Sequence, residues 1–231
     1  IRHTEPVTDP FIAYTAPVVS DPQSQGAAFL QLMDARRSVR EFSHRPVPVE
    51  LIELAVAAAN TAPSGAHQQP WTFVAVSDAN TKHQIRLSAE EEERQNYEGG
   101  RLPDAWREAI APLGTDADKS FLDVVPWIVV AFAQKSTLLP DGSQRKNYYV
   151  NESVGIACGL FIAALHSMGL STLTHTPNPM GFLTEILQRP PTERPYILFP
   201  VGYAAPDCQV PDLQRKPLEE ALIVHDGLLL S

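Results

Sequence analysis

Cysteine is scarce in this chain: it holds 2 in 231 residues, Cys158 and Cys208. No paired-cysteine spacing suggests zinc or a disulfide framework, and this usage fits a reducing compartment. No metal is expected, since His67 has no ligand-spaced partner. Basic residues are also in deficit. Lys and Arg number 18 against 27 Asp and Glu, a formal net charge of -9. A nucleic-acid binder is usually basic, so nucleic acid is not an expected partner. No apolar run approaches the ~18 residues of a membrane span. The stretch from Ile1 to Asp21 lacks the pattern of a signal peptide. There is no nicotinamide-binding fingerprint either. The expectation is a cytoplasmic or soluble protein, with a membrane anchor ahead of Ile1 left open.

What is present is apolar substance: 44% of the residues, enough for a sizeable core. The chain reads as one domain, 27–205, between two Pro-rich arms, 1–26 and 206–231. Within the domain, helical spacing runs over Ala27 to Arg36 and over Val49 to Ala59, the latter opened by Pro48. Trp71 to Ser77 reads as a strand, and Asp78 caps a helix that reaches about Tyr97. Residues 101–118 are polar and broken by Pro103, Pro112 and Gly114, so they read as a mobile segment. Trp127 to Ala133, Leu170 to Thr174 and Tyr196 to Val201 read as further strands. Glu152 to Met168 is a long apolar helix that contains Cys158, a small buried hydrophobe on this reading. Strands that are apolar on both faces need helices on both sides of the sheet. Two long arms on one domain point to arm exchange in a dimer.

Three short pieces carry candidate chemistry. Arg36-Arg37-Ser38-Val39-Arg40 packs three guanidiniums and a hydroxyl into five residues. Arg forks and a Ser hydroxyl match a phosphate, although the same charges also suit a solvated helix end. Pro63-Ser64-Gly65-Ala66-His67 is a small-residue loop that lets a ligand approach backbone N–H groups, or is merely a turn. Arg215-Lys216-Pro217-Leu218 is, alone, surface charge.

Taken in order along the chain, RRSVR, PSGAHQQPW, a strand, THTP, PVGY and RKPL resemble the nitroreductase superfamily over about residues 34 to 219. The resemblance implies an α+β fold: a mixed sheet flanked by helices on both faces, with arms exchanged in a homodimer. It also implies FMN sites at the subunit interface. Residue by residue, it implies that Arg36, Arg37 and Ser38, with the adjoining Val39, and Arg215 hold the flavin phosphate. Arg40 lies by the pyrimidine edge, where a cation favours the anionic reduced flavin. Pro63, Ser64 and Gly65 form the loop near the isoalloxazine ring, and Thr174, His175 and Thr176 a segment whose backbone and hydroxyls contact the flavin. His175 departs from the Thr often found in that segment.

Glu90 to Tyr97 (EEEERQNY) is, alone, a solvated acidic helix. Yet Glu93 and Tyr97 are four apart and share a helical face. Together with Lys119 they resemble the substrate lid of the iodotyrosine deiodinases, here within about 90–119. That resemblance implies that Glu93 takes the ammonium of a halotyrosine, Lys119 its carboxylate, and Tyr97 either. The Ala66 N–H would hold the phenolate. Thr176 would bond flavin N5 and serve as the catalytic hydroxyl. An NADPH-linked or other reductase would supply electrons. Two alternatives stand beside this: a broad FMN nitroreductase or quinone reductase, and a non-catalytic protein that binds flavin or aromatic amino acids.

Overall fold

In the computed structural model, residues 12–225 are described. Residues 1–11 of the expected N-terminal arm and 226–231 of the C-terminal arm lie outside them. The chain divides into two units, Ile1–Arg36 and Arg37–Ser231.

The described part of the first unit is irregular through residue 20 and then forms α1, Pro22–Asp34. The helix starts five residues before the expected Ala27, inside the expected arm. The reason is local. Asp21 Oδ1 accepts from the Gln23 and Ser24 N–H groups at 3.1 and 3.2 Å, and Pro22 takes the first turn. None of the α1 side chains is buried, and Phe29 and Leu30 are exposed.

The second unit runs α2 (Val49–Ala59), β1 (Trp71–Val76), α3 (Ala79–Tyr97), α4 (Asp104–Ile110), α5 (Phe121–Val124), β2 (Trp127–Gln134), β3 (Ser136–Leu138), β4 (Gln144–Lys146), α6 (Val150–Ser167), β5 (Ser171–Thr172), α7 (Gly181–Ile186), β6 (Glu193–Gly202) and α8 (Leu218–Ala221). The main sheet has the order β1-β2-β6-β5, and its ladders are all antiparallel. Its parallel component is a bridge from Ser38 to Thr172.

The central strand β2 shows why helices cover both faces. Val129, Ala131 and Ala133 point into one cluster with Ala55, Ala59, Phe161 and Leu165 from α2 and α6. Ile128, Val130 and Phe132 point into the other, with Ile85, Leu122 and Leu183 from α3, α5 and α7. Alternate residues of a strand face opposite ways, so a strand apolar throughout must be covered twice. The expected strands and long helices are all present, with ends shifted by a few residues.

Three differences matter. The segment expected to be mobile contains α4 and a short 3-10 turn, Ala111–Leu113. Pro103 precedes α4, and Asp104 in its first turn complements the helix dipole. The β3–β4 hairpin was not expected, although Pro140-Asp141-Gly142 is a strong turn signal. There Asp141 Oδ1 accepts the Ser143 N–H at 2.9 Å and Gly142 adopts φ 81°. Finally, α6 is by length and composition long and apolar enough to cross a membrane, which corrects the reading that no run approaches that length. One face of it, including Val154, Ala157, Cys158, Phe161 and Leu165, is buried in the core.

Candidate active site

Four Glu residues in a row on α3 do not share one environment. Glu90 is buried and pairs with Arg86 at 2.8 Å. Glu91 pairs with Arg94 at 2.8 Å, and Glu92 with Arg101 at 2.5 Å. Glu93 has no such partner and lines a cavity of about 1050 Å³. The last turn of α3 brings Tyr97 to the same wall, as their four-residue spacing requires.

Lys119 is 3% exposed and lines the same cavity. Its Nζ donates to the Asp116 carbonyl and lies 5.7 Å from the centre of the Tyr97 ring. Burial pushes the Lys119 ammonium down, with Glu93 and Asp116 opposing, and burial pushes the Glu93 carboxyl up, with Lys119 opposing. Each charge is thus partly stripped of water without a contact partner of opposite sign among the described residues. Such charges gain when a ligand supplies one. Burial also raises the Tyr97 phenol, which donates to Thr115 Oγ1 at 3.4 Å.

The far wall is the segment after β5. Its extended backbone alternates: Thr174 and Thr176 are exposed, and His175 between them is buried. His175 N–H and C=O bond Leu198 at 2.9 and 3.0 Å. Its Nε2 has no hydrogen-bond partner among the described residues. Burial, then the Lys119 and Arg40 charges, push this imidazole down to about 3. Between pH 6.5 and about 3 the unfolded chain therefore carries a proton here that the folded chain does not, so stability falls as pH falls through that window. Urea unfolding at pH 7 and pH 5 should show the parent losing about 2 kcal/mol more than His175→Thr. Equal losses would mean that the native site accepts the proton.

Arg40 also lines the cavity. The RRSVR run is held beside the THT segment through the backbone, because the Val39 N–H donates to Thr172 O at 3.2 Å. The Val39 side chain is buried in the core, so this position anchors Ser38 and Arg40 on either side of it. Arg37 donates to the Pro211 carbonyl, which ties this run to the stretch leading to Arg215. Neither Arg37 nor Arg40 forms an ion pair among the described residues, so both guanidiniums retain their charge for an anion. Arg36 is the last residue of the first unit.

The Pro63-Ser64-Gly65-Ala66 loop does not line this cavity. It is pinned instead to the start of α6. Gly65 N–H donates to Ser153 Oγ at 3.3 Å, and a Cβ at Gly65 would sit 2.9 Å from the Tyr148 carbonyl oxygen. The N–H groups of His67, Gln68 and Gln69 bond Ser64 O, Gly65 O and Ser64 Oγ. Ala66, with φ 50°, is left with an N–H that has no acceptor among the described residues. Within the single chain the walled cavity and this loop are separate.

Sequence reasoning missed Glu90, whose signal was the Arg86–Glu90 spacing of four, and Asp116, which held no signal. Both described cysteines are free, and burial pushes the Cys158 thiol up to about 12, as an inert core residue requires.

Residues 33–203 match the model of the nitroreductase family. The chain is 55% identical to an iodotyrosine deiodinase of Haliscomenobacter hydrossis over 87% of this chain and 90% of that protein. It is 44% identical to an iodotyrosine deiodinase of Danio rerio, over 89% of this chain and 70% of that one. A crystal structure of oxidized iodotyrosine deiodinase bound to FMN and 3-iodo-L-tyrosine superposes with a TM-score of 0.74 at 29% identity, covering 86% of this chain and 98% of that one. With the ordered motifs and the Glu93, Tyr97 and Lys119 wall in place, the chain belongs to the nitroreductase family and, within it, to the iodotyrosine deiodinases.

Proposed function

We propose that this protein is an FMN-dependent oxidoreductase that removes halide from halotyrosines, converting iodotyrosine to tyrosine and iodide. One observation carries the substrate assignment: Glu93, Tyr97 and Lys119 wall the same cavity as Arg40 and Thr176. An acid and a base, both desolvated and unmatched, suit a free amino-acid zwitterion. A nitroaromatic substrate has no use for them.

The residues present fit FMN. Arg37 and Ser38, with Arg36 and Arg215, are the proposed phosphate holders, and Arg40 the cation for the pyrimidine edge. Thr174 and Thr176 offer outward hydroxyls, and Pro63, Ser64 and Gly65 would flank the ring. The buried His175 side chain contributes as a neutral wall. When bound, FMN supplies the two electrons that expel halide. Glu93 takes the substrate ammonium, and Lys119 its carboxylate. The unused Ala66 N–H takes the phenolate oxygen. Thr176 is the hydroxyl for flavin N5. The segment 90–119 acts as the lid that excludes water.

Because the Ala66 loop does not line the cavity, we propose that a second copy of the chain completes each site. The exposed stripe Ile156 and Leu160 on α6 supports this homodimer, as do the exposed Phe29 and Leu30 on α1. Exchange of the arms and a reductase, NADPH-linked or other, as electron donor belong to the same proposal.

The test is a single turnover. Protein holding one FMN per chain is reduced without air and mixed with 3-iodotyrosine. Tyrosine and iodide should each appear at one equivalent per reduced flavin. Reduction of nitroaromatics with no tyrosine formed would favour the broad nitroreductase, and flavin that stays reduced with either compound would favour a binding protein.

A further inference from the structure

We propose that Glu90 is a positioning residue for substrate binding, setting Lys119 at the distance from Glu93 that the zwitterion needs; this rests on the reading of Lys119 as the carboxylate-binding group. α3 carries Lys82, Arg86 and Glu90 four residues apart, which lines them up on one face. All three hold the segment that follows the lid. Lys82 Nζ donates to the Val125 carbonyl at 2.6 Å, and Arg86 Nη1 to Asp123 Oδ2 at 2.7 Å. Glu90 completes the row. One oxygen, Oε1, accepts both from Arg86 Nε at 2.8 Å and from the Lys119 backbone N–H at 3.0 Å. His83 adds a contact to the same Asp123 oxygen at 3.1 Å.

The row decides more than adhesion. Glu93 and Tyr97 are fixed on α3 itself, but Lys119 lies 26 positions after Glu93 in sequence, beyond α4 and a Gly/Pro-broken stretch. The Glu92–Arg101 ion pair and the Tyr97–Thr115 hydrogen bond tie that stretch to α3, but neither holds Lys119 itself. The Glu90 carboxylate does, because it grips the Lys119 main chain directly and the bond is buried. Arg86 orients the carboxylate from 2.8 Å, and a hydrogen bond to a carboxylate is stronger than one to a neutral acceptor. Glu90 does not line the cavity, so it acts only through Lys119.

The experiment measures dissociation constants of the FMN-loaded protein for 3-iodotyrosine and for 2-iodophenol, which lacks the zwitterion. Glu90→Ala should weaken iodotyrosine about 10- to 100-fold, the worth of a hydrogen bond to a charged group. It should leave iodophenol and FMN content unchanged. Glu90→Gln, whose amide oxygen still accepts the Lys119 N–H, should recover most of the loss. Glu90→Asp keeps the charge facing Arg86 but falls short of Lys119, and should show the same selective loss even where Glu90→Ala does not fold. The double variant Glu90→Ala/Lys119→Ala should bind iodotyrosine no more weakly than Lys119→Ala alone. Equal losses for both ligands, or losses that add in the double variant, overturn the positioning role. A loss in Lys119→Ala with none in Glu90→Ala or Glu90→Asp overturns it while sparing the clamp. No loss in Lys119→Ala strikes the clamp reading itself, and the positioning role with it.

Discussion

Glu93→Gln should weaken 3-iodotyrosine binding by about 2–5 kcal/mol, roughly 30-fold to several thousand-fold, while leaving FMN content intact. The size follows from the surroundings. Burial already raises the Glu93 carboxyl, and it lines the cavity together with Lys119. A neutral amide there cannot balance a desolvated ammonium. The same change should scarcely affect 2-iodophenol, which has no ammonium to lose. Flavin fluorescence quenching by both ligands, on both proteins, separates the cases. Equal losses for the two ligands would mean that Glu93 supports the lid and does not read the zwitterion. The pH dependence has a definite sign. Iodotyrosine affinity should fall as acid protonates Glu93, at a pH above the ordinary carboxylate range. It should fall again as base discharges Lys119, at a pH below the ordinary lysine range. His175, held neutral down to about 3, contributes to neither limb.

The second large effect concerns assembly. Ile156→Asp combined with Leu160→Asp should turn the proposed dimer into a monomer and cut FMN content far below one per chain. The two residues are 46% and 36% exposed and lie one helical turn apart on α6, opposite its buried face. Covering what remains exposed of each side chain against another copy contributes about 1 kcal/mol, and a carboxylate in that place costs more than the contact gave. The core side of α6 is untouched, so far-ultraviolet circular dichroism should be unchanged. Light scattering reads the mass, and absorbance near the flavin bands reads the cofactor. A monomer that still holds one FMN per chain would falsify the view that each site draws on two copies.

Much of this protein was decided locally. Asp78 capped α3 as its type predicts, and the apolar runs at Trp127 and Tyr196 became strands covered on both faces. Those features depend on neighbours within a few residues, which a single chain displays directly. The spacing of Glu93 and Tyr97 placed them on one wall for the same reason. The ordered motifs named the family, since the residues that meet a flavin are drawn from fixed places along the chain.

Other features were settled only in three dimensions. Glu90, Glu91, Glu92 and Glu93 are identical letters, yet one pairs with Arg86 and grips a main chain, two form ion pairs alone and one faces a cavity. Which Glu does which depends on the segment that folds back across α3, and no local rule contains that information. The sequence does not say where the His175 side chain goes; the alternation of an extended segment turns it inward between two outward threonines. Val39, in the middle of a run of cationic residues, became a core residue because Ser38 pairs with Thr172. The separation of the Ala66 loop from the cavity also appears only in the folded chain. Chain order determines which residue types are available and which helical face they share. Long-range packing determines which of them lose water, and in this site loss of water is what gives a charge its use.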